Sequence, residues 1–505
     1  MTRKGHRERR KAGAIRQLPW QQVRNPYAPV EVLSADQVEA IVGAALTILE
    51  TTGFRFLREE SRKLVESAGA EPANGRGMTR LGRDLVMAKL ALAPTQFALR
   101  ARNRARDLVI GGNHIVFAAV GGPAFVSDLD KGRRPGNYAE MCDYFRLIQS
   151  LNIIHQECGG CFEPMDLPPE SRHLDLYLAQ HTLLDKSAQA YPLGRERTAD
   201  CLEMTAISFG ISREALTENP AVVGIINTNS PMQIDIPMAE AVHELAGANQ
   251  VCCITPFTLA GSMSPATLAG TLAQQTAEVL AVVTLAQLVR EGAPVIYGAF
   301  ASNVDMQSGA PALGTPEYAK MAMASGQLAR RLGLPFRSSS TTTANVADAQ
   351  SAYESQMSLW GAVMGHANLV VHAAGWLEGG LTASLEKLVI DAEMLQMMAE
   401  TLKPIVVSDE ELALDTIAEV PPGGHHFGTA HTLARYESAF YTPIVSNRQN
   451  FESWQEQGSV DTLTRANGLW KQLLADYEKP PIDPATEEAL TDYVERRKAE
   501  IAGRQ

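Results

Sequence analysis

The sequence lacks any run of 18 or more apolar residues, so no membrane-spanning helix is expected. Cysteine is scarce. Six in 505 residues cannot make a disulfide framework, and a reducing cytoplasm is the expected setting. Net positive charge is also missing. At −12, the chain is not expected to bind nucleic acid through a broad basic surface. Several catalytic signatures are absent too: a Gly-x-Gly-x-x-Gly after a strand, a phosphate-binding P-loop, a nucleophile elbow and a His-Glu-x-x-His pair. What remains is 45% apolar and 20% charged, the composition of a globular chain with a large core rather than a disordered or fibrous one.

Four stretches differ in pattern. Residues 1–33 form a basic, Pro-containing arm without an apolar segment of the secretory kind, read as a solvated tail or one that docks on an acidic partner. Residues 34–112 read as an α+β extension. Ser34 and Gln37 make a capping box before apolar Val38, Ile41, Val42, Ala45, Ile48 and Leu49. A second helix is expected near Glu59–Ala68, and Leu108 to Phe117 reads as a hairpin around Gly111-Gly-Asn113. From 113 to 407, short β-type runs alternate with long helical stretches, among them Pro265–Arg290, Pro316–Leu332, Asp348–His366 and Ser384–Leu402. The runs are Ile115–Val120, Ile153–Gln156, Ala188–Tyr191, Val222–Asn227, Val251–Phe257, Pro294–Phe300, Pro335–Ser339 and Asn368–Ala374. Runs such as Val222 to Ile226 are continuously apolar, as in strands buried on both faces. Eight such units predict an α/β fold, a (β/α)8 TIM barrel, with an open doubly wound sheet as the alternative. Residues 408–505 read as a C-terminal helical extension packed on the barrel.

In such barrels the chemistry sits just past the strand C-termini. Those positions hold Asp128, Asp130, Glu157, Asn227, Asn229, Phe257, Tyr297, Phe300, Asp305, Ser338 to Thr343, His372, Trp376 and Glu378. Carboxylates mixed with aromatics suit a cationic organic substrate, since aromatic faces attract quaternary ammonium by ~0.5–2 kcal/mol each. For Tyr297 and Phe300 the alternative is plain barrel packing. Cys158 and Cys161 have C-x-x-C spacing, but no second pair accompanies them. Cys252 and Cys253 lie near the start of their strand, at the wrong end for chemistry. His425, His426 and His431 cluster in a Gly/Pro-rich loop and read as structural or gating before metal-binding. No metal site is expected.

Several longer motifs carry a resemblance. They are Phe125-Val-Ser-Asp-Leu-Asp-Lys-Gly-Arg133, Glu163-Pro-Met-Asp-Leu-Pro168, Leu288-Val-Arg-Glu-Gly-Ala-Pro-Val-Ile-Tyr-Gly298, Gly314-Thr-Pro-Glu317, Asp348-Ala-Gln-Ser-Ala-Tyr-Glu354, His372-Ala-Ala-Gly375 and Glu386-Lys-Leu-Val-Ile-Asp391. From about residue 35 to 490 the chain resembles the trimethylamine methyltransferase family, corrinoid-dependent (β/α)8 barrels. The resemblance implies methyl transfer from an amine to the cobalt of a separate corrinoid protein, with no tightly bound cofactor. It also implies a homodimer and a downstream corrinoid:tetrahydrofolate methyltransferase.

One departure is informative. The founding trimethylamine enzymes carry pyrrolysine in the loop matching about Thr341–Asp348, which here reads Thr-Thr-Thr-Ala-Asn-Val-Ala-Asp. A neutral tertiary amine is a poor leaving group and needs activation. A quaternary ammonium already carries its charge and leaves as a neutral amine. The resemblance is therefore to the pyrrolysine-lacking, glycine betaine branch, and a betaine-type quaternary amine is the expected donor. Trimethylamine or a sulfonium such as dimethylsulfoniopropionate is the alternative. A non-catalytic betaine-binding barrel and a zinc-dependent thiol or methanol-type methyltransferase are readings from other classes. In that branch Asp128 and His372 correspond to substrate contacts, and a wall aromatic falls at Gly380, where this chain has none. Trp376 stands ready to replace it, with Tyr297 and Phe300 completing the wall. Asp128 and Glu378 are expected to balance the cation, with Asn229 and Glu157 beside them, and His372 or an arginine to bind a substrate carboxylate.

Overall fold

The computed structural model describes residues 15–73 and 77–504, so the basic stretch at 1–14 lies outside the described residues. Its centre is a curled, mostly parallel eight-stranded sheet in a mixed α/β fold. In chain order the strands are β1 (Val23–Arg24), β2 (His114–Phe117), β3 (Ala188–Ala190), β4 (Val222–Ile226), β5 (Val251–Ile254), β6 (Val295–Gly298), β7 (Phe336–Ser339) and β8 (Leu369–Val371). Their spatial order is β1-β2-β8-β7-β6-β5-β4-β3. Every pairing is parallel except β1 with β2, where Val23 faces Ile115.

Seven of the eight expected runs are thus strands in the expected order. The run Ile153–Gln156 is not. Only Gln156 makes ladder contacts, a parallel bridge to Ala118 on one side and to Ser187 on the other. The reason is a side-chain contact between distant residues: the Phe117 N–H is taken by the His155 ring at 2.9 Å. Side-chain capture of a backbone donor competes with ladder formation.

Period-2 alternation sorts the strand residues into two cores. Val116, Ala118, Val223, Val251, Cys253, Ile296, Leu369 and Val371 fill the concave interior. Ile115, Phe117, Val222, Ile226, Val295, Tyr297, Phe336 and Val370 belong to the outer core, which the helices cover. Leu99, Leu108 and Ile110 join the inner group and plug its N-terminal end. They come from an antiparallel pair, Gln96–Leu99 with Leu108–Gly111. This corrects the expected hairpin: Leu108–Gly111 is a strand, but it turns away from His114–Phe117 to form the plug.

The helical stretches appear close to where the sequence places them. Among them are Leu268–Val289, Pro316–Arg331, Ala349–Met364 and Leu385–Thr401. The helix Ala35–Thr51 has its full capping box, with Ser34 and Gln37 bonded reciprocally. It packs along Leu268–Val289. That last helix is long and apolar enough to cross a membrane, but 89% of its apolar window is buried inside the protein. Thr271, Gln274, Gln275, Thr276 and Glu278 interrupt its apolar run and are buried with it. At the C-terminal end, Thr462–Ala475 packs on Leu385–Thr401, and Pro484–Ala502 on Arg172–Leu183 and Arg195–Phe209. Asp200 fastens the latter, accepting from Tyr493 at 2.6 Å and from Arg497 at 2.8 Å.

Candidate active site

A cavity of about 530 Å³ opens where the parallel strands end. Its lining comes from the segments after successive strands: Gly121 and Gly122, Cys158 and Gly159, Ala190 to Leu193, Asn227, Phe257, Phe300, Arg337, His372, Trp376 and Gly379 to Leu381. Depth in the concave side of the sheet is set by strand position. Arg337 sits inside β7, on the face opposite Phe336, and is 1% exposed. The others lie at or beyond strand ends.

Four rings form a continuous wall. His372 and Trp376 have centroids 4.1 Å apart, Phe300 is 5.6 Å from His372 and 6.2 Å from Trp376, and Phe257 lies 5.0 Å beyond Phe300. The Arg337 guanidinium stands 5.1 Å from the Phe300 centroid. Its Nη1 donates to the Ala299 carbonyl at 3.1 Å, and its Nε has no partner. Among the described residues no carboxylate pairs with Arg337 and none lines the cavity. His372 is half-buried, and its Nδ1 is enclosed and unpartnered. Burial, and then the neighbouring Arg337 charge, push its pKa well below the ordinary range, so it is neutral at pH 7. Its backbone is left-handed, φ 58°, a conformation uncommon outside glycine.

Position 380 explains how the wall is built. Gly380 has φ +106°, and a Cβ there would stand 2.5 Å from Cη2 of Trp376. The indole fills the volume that a side chain at 380 would need.

Of the other candidates, Asn227 and Phe257 line the cavity and the rest do not. Tyr297 lies on the outer face of β6, and its hydroxyl meets Thr276 at 2.8 Å and Gln275 at 3.1 Å in the covering helix. It is packing, because alternation gives Tyr297 the same outward face as Val295. Asp128 caps its own turn, accepting from the Asp130 and Lys131 N–H groups and from Arg134 at 2.5 Å. Glu378 pairs with Arg133 at 2.8 Å and accepts from Thr382. Glu157 is buried beneath the cavity floor, where it accepts from the Gly159 and Gly160 N–H groups and from Gln180. Burial raises its pKa to about 7. Asn229 is exposed, its amide on Asp235, in a loop that Glu278 pins through Thr228, Ser230 and Met232.

The remaining constellations hold no chemistry of their own. Asp130 pairs with Lys471, and Asp305 closes a turn through Ser308. Cys252 and Cys253 are buried on opposite faces of β5. Cys161 is buried, while Cys158 lines the cavity with its thiol bonded to Gln189. His425 and His426 are exposed. Among the described residues no three His, Cys, Asp or Glu converge as metal ligands. Arg337 was missed by number, although a charged residue at an inward position of a buried strand is itself a signal.

The family profile described as trimethylamine methyltransferase (MTTB) matches residues 1–502. The chain belongs to the trimethylamine methyltransferase family. Within this family it is 36% identical over 471 residues to the glycine betaine methyltransferase of Desulfitobacterium hafniense (strain Y51), covering 93% of this chain and 98% of that protein. To the trimethylamine methyltransferase MttB2 of Methanosarcina mazei it is 26% identical over 473 residues, covering 90% and 92%. Among solved structures, the hydroxylamine MtmB complex aligns with a TM-score of 0.49 at 10% identity, over 88% of this chain and 94% of that one.

Proposed function

We propose that this protein is a methyltransferase that moves a methyl group from a betaine-type quaternary amine to the Co(I) of a partner corrinoid protein. One observation carries the reading: Arg337 is wholly buried, faces a cavity walled by aromatic rings, and has no carboxylate beside it among the described residues. Buried charges are normally paired, so the missing anion is expected from the ligand. A zwitterionic donor supplies it. Its carboxylate meets the guanidinium, while its onium group meets Trp376, Phe300 and Phe257 by cation–π attraction. Neutral His372 adds no repulsion. A cation without a carboxylate would meet Arg337 unshielded and is disfavoured. The cation is therefore balanced by ring faces, and the role expected of Asp128 and Glu378 falls away.

The reaction is an in-line displacement. The Co(I) electron pair forms the Co–CH₃ bond as the C–N bond breaks, the nitrogen keeps the bonding pair, and a neutral tertiary amine leaves. No proton moves, so the residues bind, orient and exclude water. In this reading the barrel closes through the Gln156 segment, binds no cofactor tightly, works in the cytoplasm as a homodimer, and receives the corrinoid protein over the cavity mouth. A corrinoid:tetrahydrofolate methyltransferase would consume the methyl-corrinoid.

The test mixes purified protein, a Co(I) corrinoid protein and a donor panel of betaines, choline, dimethylsulfoniopropionate and trimethylamine. Methyl-Co(III) absorbance is expected with a carboxylate-bearing onium donor. Turnover of trimethylamine with every permanently charged donor ignored would overturn the reading.

A further inference from the structure

Three of the motifs singled out in the sequence have no place in the cavity lining, yet they meet at one carboxylate. Glu354, half-buried on the helix Ala349–Met364, accepts from Thr342 Oγ1 at 2.6 Å, from the Thr343 N–H at 2.8 Å, from Thr343 Oγ1 at 3.1 Å and from Gln350 Nε2 at 2.9 Å. Gly314 leaves room for it: a Cβ there would lie 2.4 Å from Glu354 Cβ and 2.7 Å from its Cα. The clamped segment then holds the ring wall. The Thr342 carbonyl accepts the indole N–H of Trp376 at 3.1 Å and the Gly379 N–H at 3.1 Å. Two residues on, the Ala344 carbonyl accepts the Glu378 N–H at 2.9 Å.

We infer that Glu354 is a positioning residue for the onium group, acting through the Thr342–Ala344 segment on Trp376. This rests on the function proposed above and adds to it. The segment lies in the loop after β7. Here it serves as a scaffold for the indole. The indole has one donor and a planar face, so its single N–H bond fixes the tilt of the ring. Packing against Gly380 fixes its depth. A carboxylate accepting four bonds holds the scaffold in register, and a shift of a fraction of an ångström there would turn the face away from the methyl-bearing nitrogen.

The experiment compares wild type, Glu354→Ala, Glu354→Gln, Thr342→Val and Trp376→Phe by steady-state kinetics of cobalt methylation and by calorimetric binding of the betaine donor. Glu354→Ala is expected to raise KM and the dissociation constant at least tenfold, with kcat changed less than threefold. Gln keeps an acceptor oxygen at the Oε2 position, so Glu354→Gln should stay within threefold of wild type. Thr342→Val should fall between the two, and it carries the test if the alanine variant does not fold. In the Trp376→Phe background, where the indole bond is already gone, Glu354→Ala should add less than twofold. Unchanged KM and binding in Glu354→Ala, or two losses that multiply independently, would overturn the inference. A wild type that binds the donor but methylates no cobalt would instead overturn the functional reading, with the binding comparison still deciding the role of Glu354.

Discussion

A guanidinium buried without a carboxylate is rare enough to need a reason, and Arg337 has none within the described residues. The backbone carbonyl of Ala299 satisfies one N–H and the Phe300 face lies alongside, leaving most of the charge unanswered. If the donor's carboxylate completes this group, removing it has an opposite effect on two kinds of donor. Arg337→Met should raise KM for a betaine roughly 10- to 150-fold, the equivalent of a charge-assisted hydrogen bond of about 1.5–3 kcal/mol. For choline, which has no carboxylate, KM should fall, since a repelling charge has gone. Steady-state kinetics with both donors checks this, and a parallel loss for the two would mean that Arg337 supports the fold alone. Residues like Asp128 and Tyr297 show the limit of reading such roles from chain position. Both follow or end a strand, but the side chain's direction depends on a turn bond in one case and on strand parity in the other.

Elements were the most legible scale. Helices such as Pro316–Arg331 and Leu385–Thr401 end within a residue or two of the bounds given by their caps and periodicity, because those signals are local. The miss at Ile153–Gln156 has a non-local cause: whether His155 gives its ring or its carbonyl to Phe117 is decided by the strand it meets. The plug strand Leu108–Gly111 is a similar case, since its partner Gln96–Leu99 offers little β signal by itself. Close helix approach was equally hidden. Pro316–Arg331 and Ala349–Met364 touch through small residues, and a Cβ on Gly326 would lie 2.0 Å from the Gly365 carbonyl oxygen. Gly326→Ala should therefore push these helices apart and cost about 1–3 kcal/mol, the range for overpacking. Urea unfolding gives the loss. The donor KM should stay close to wild type, because the contact lies on the helices' mutual face and not in the cavity.

Across the whole molecule, the buried titratable groups set how stability responds to acid. Burial lowers the pKa of His155 to about 4 and of His181 to about 3, and takes His372 well below its ordinary range. In the unfolded chain these rings take protons near pH 6.5, which the folded protein refuses. Their contribution is complete above pH 6.5 and is lost as pH falls toward the folded values, by up to about 1.4 kcal/mol per pH unit for each ring. Two carboxyls act in the other direction. Glu157 titrates near 7 and Asp391 above its usual value, both raised by burial, so the folded state binds their protons more tightly and gains as pH drops. His243, which burial lowers to about 4, adds to the loss between pH 6.5 and 4.5, and Glu157 opposes it. Replacing Glu157 by Gln isolates one of the opposing terms. The variant has no proton to gain, so between pH 7 and 5 it should lose stability more steeply than wild type, by roughly 1.4 kcal/mol per pH unit. Urea midpoints measured at pH 7.5, 6.0 and 5.0 for both proteins give the two slopes. Parallel slopes would place the Glu157 pKa at its unfolded value, and the carboxyl under the cavity floor would then be charged at neutral pH.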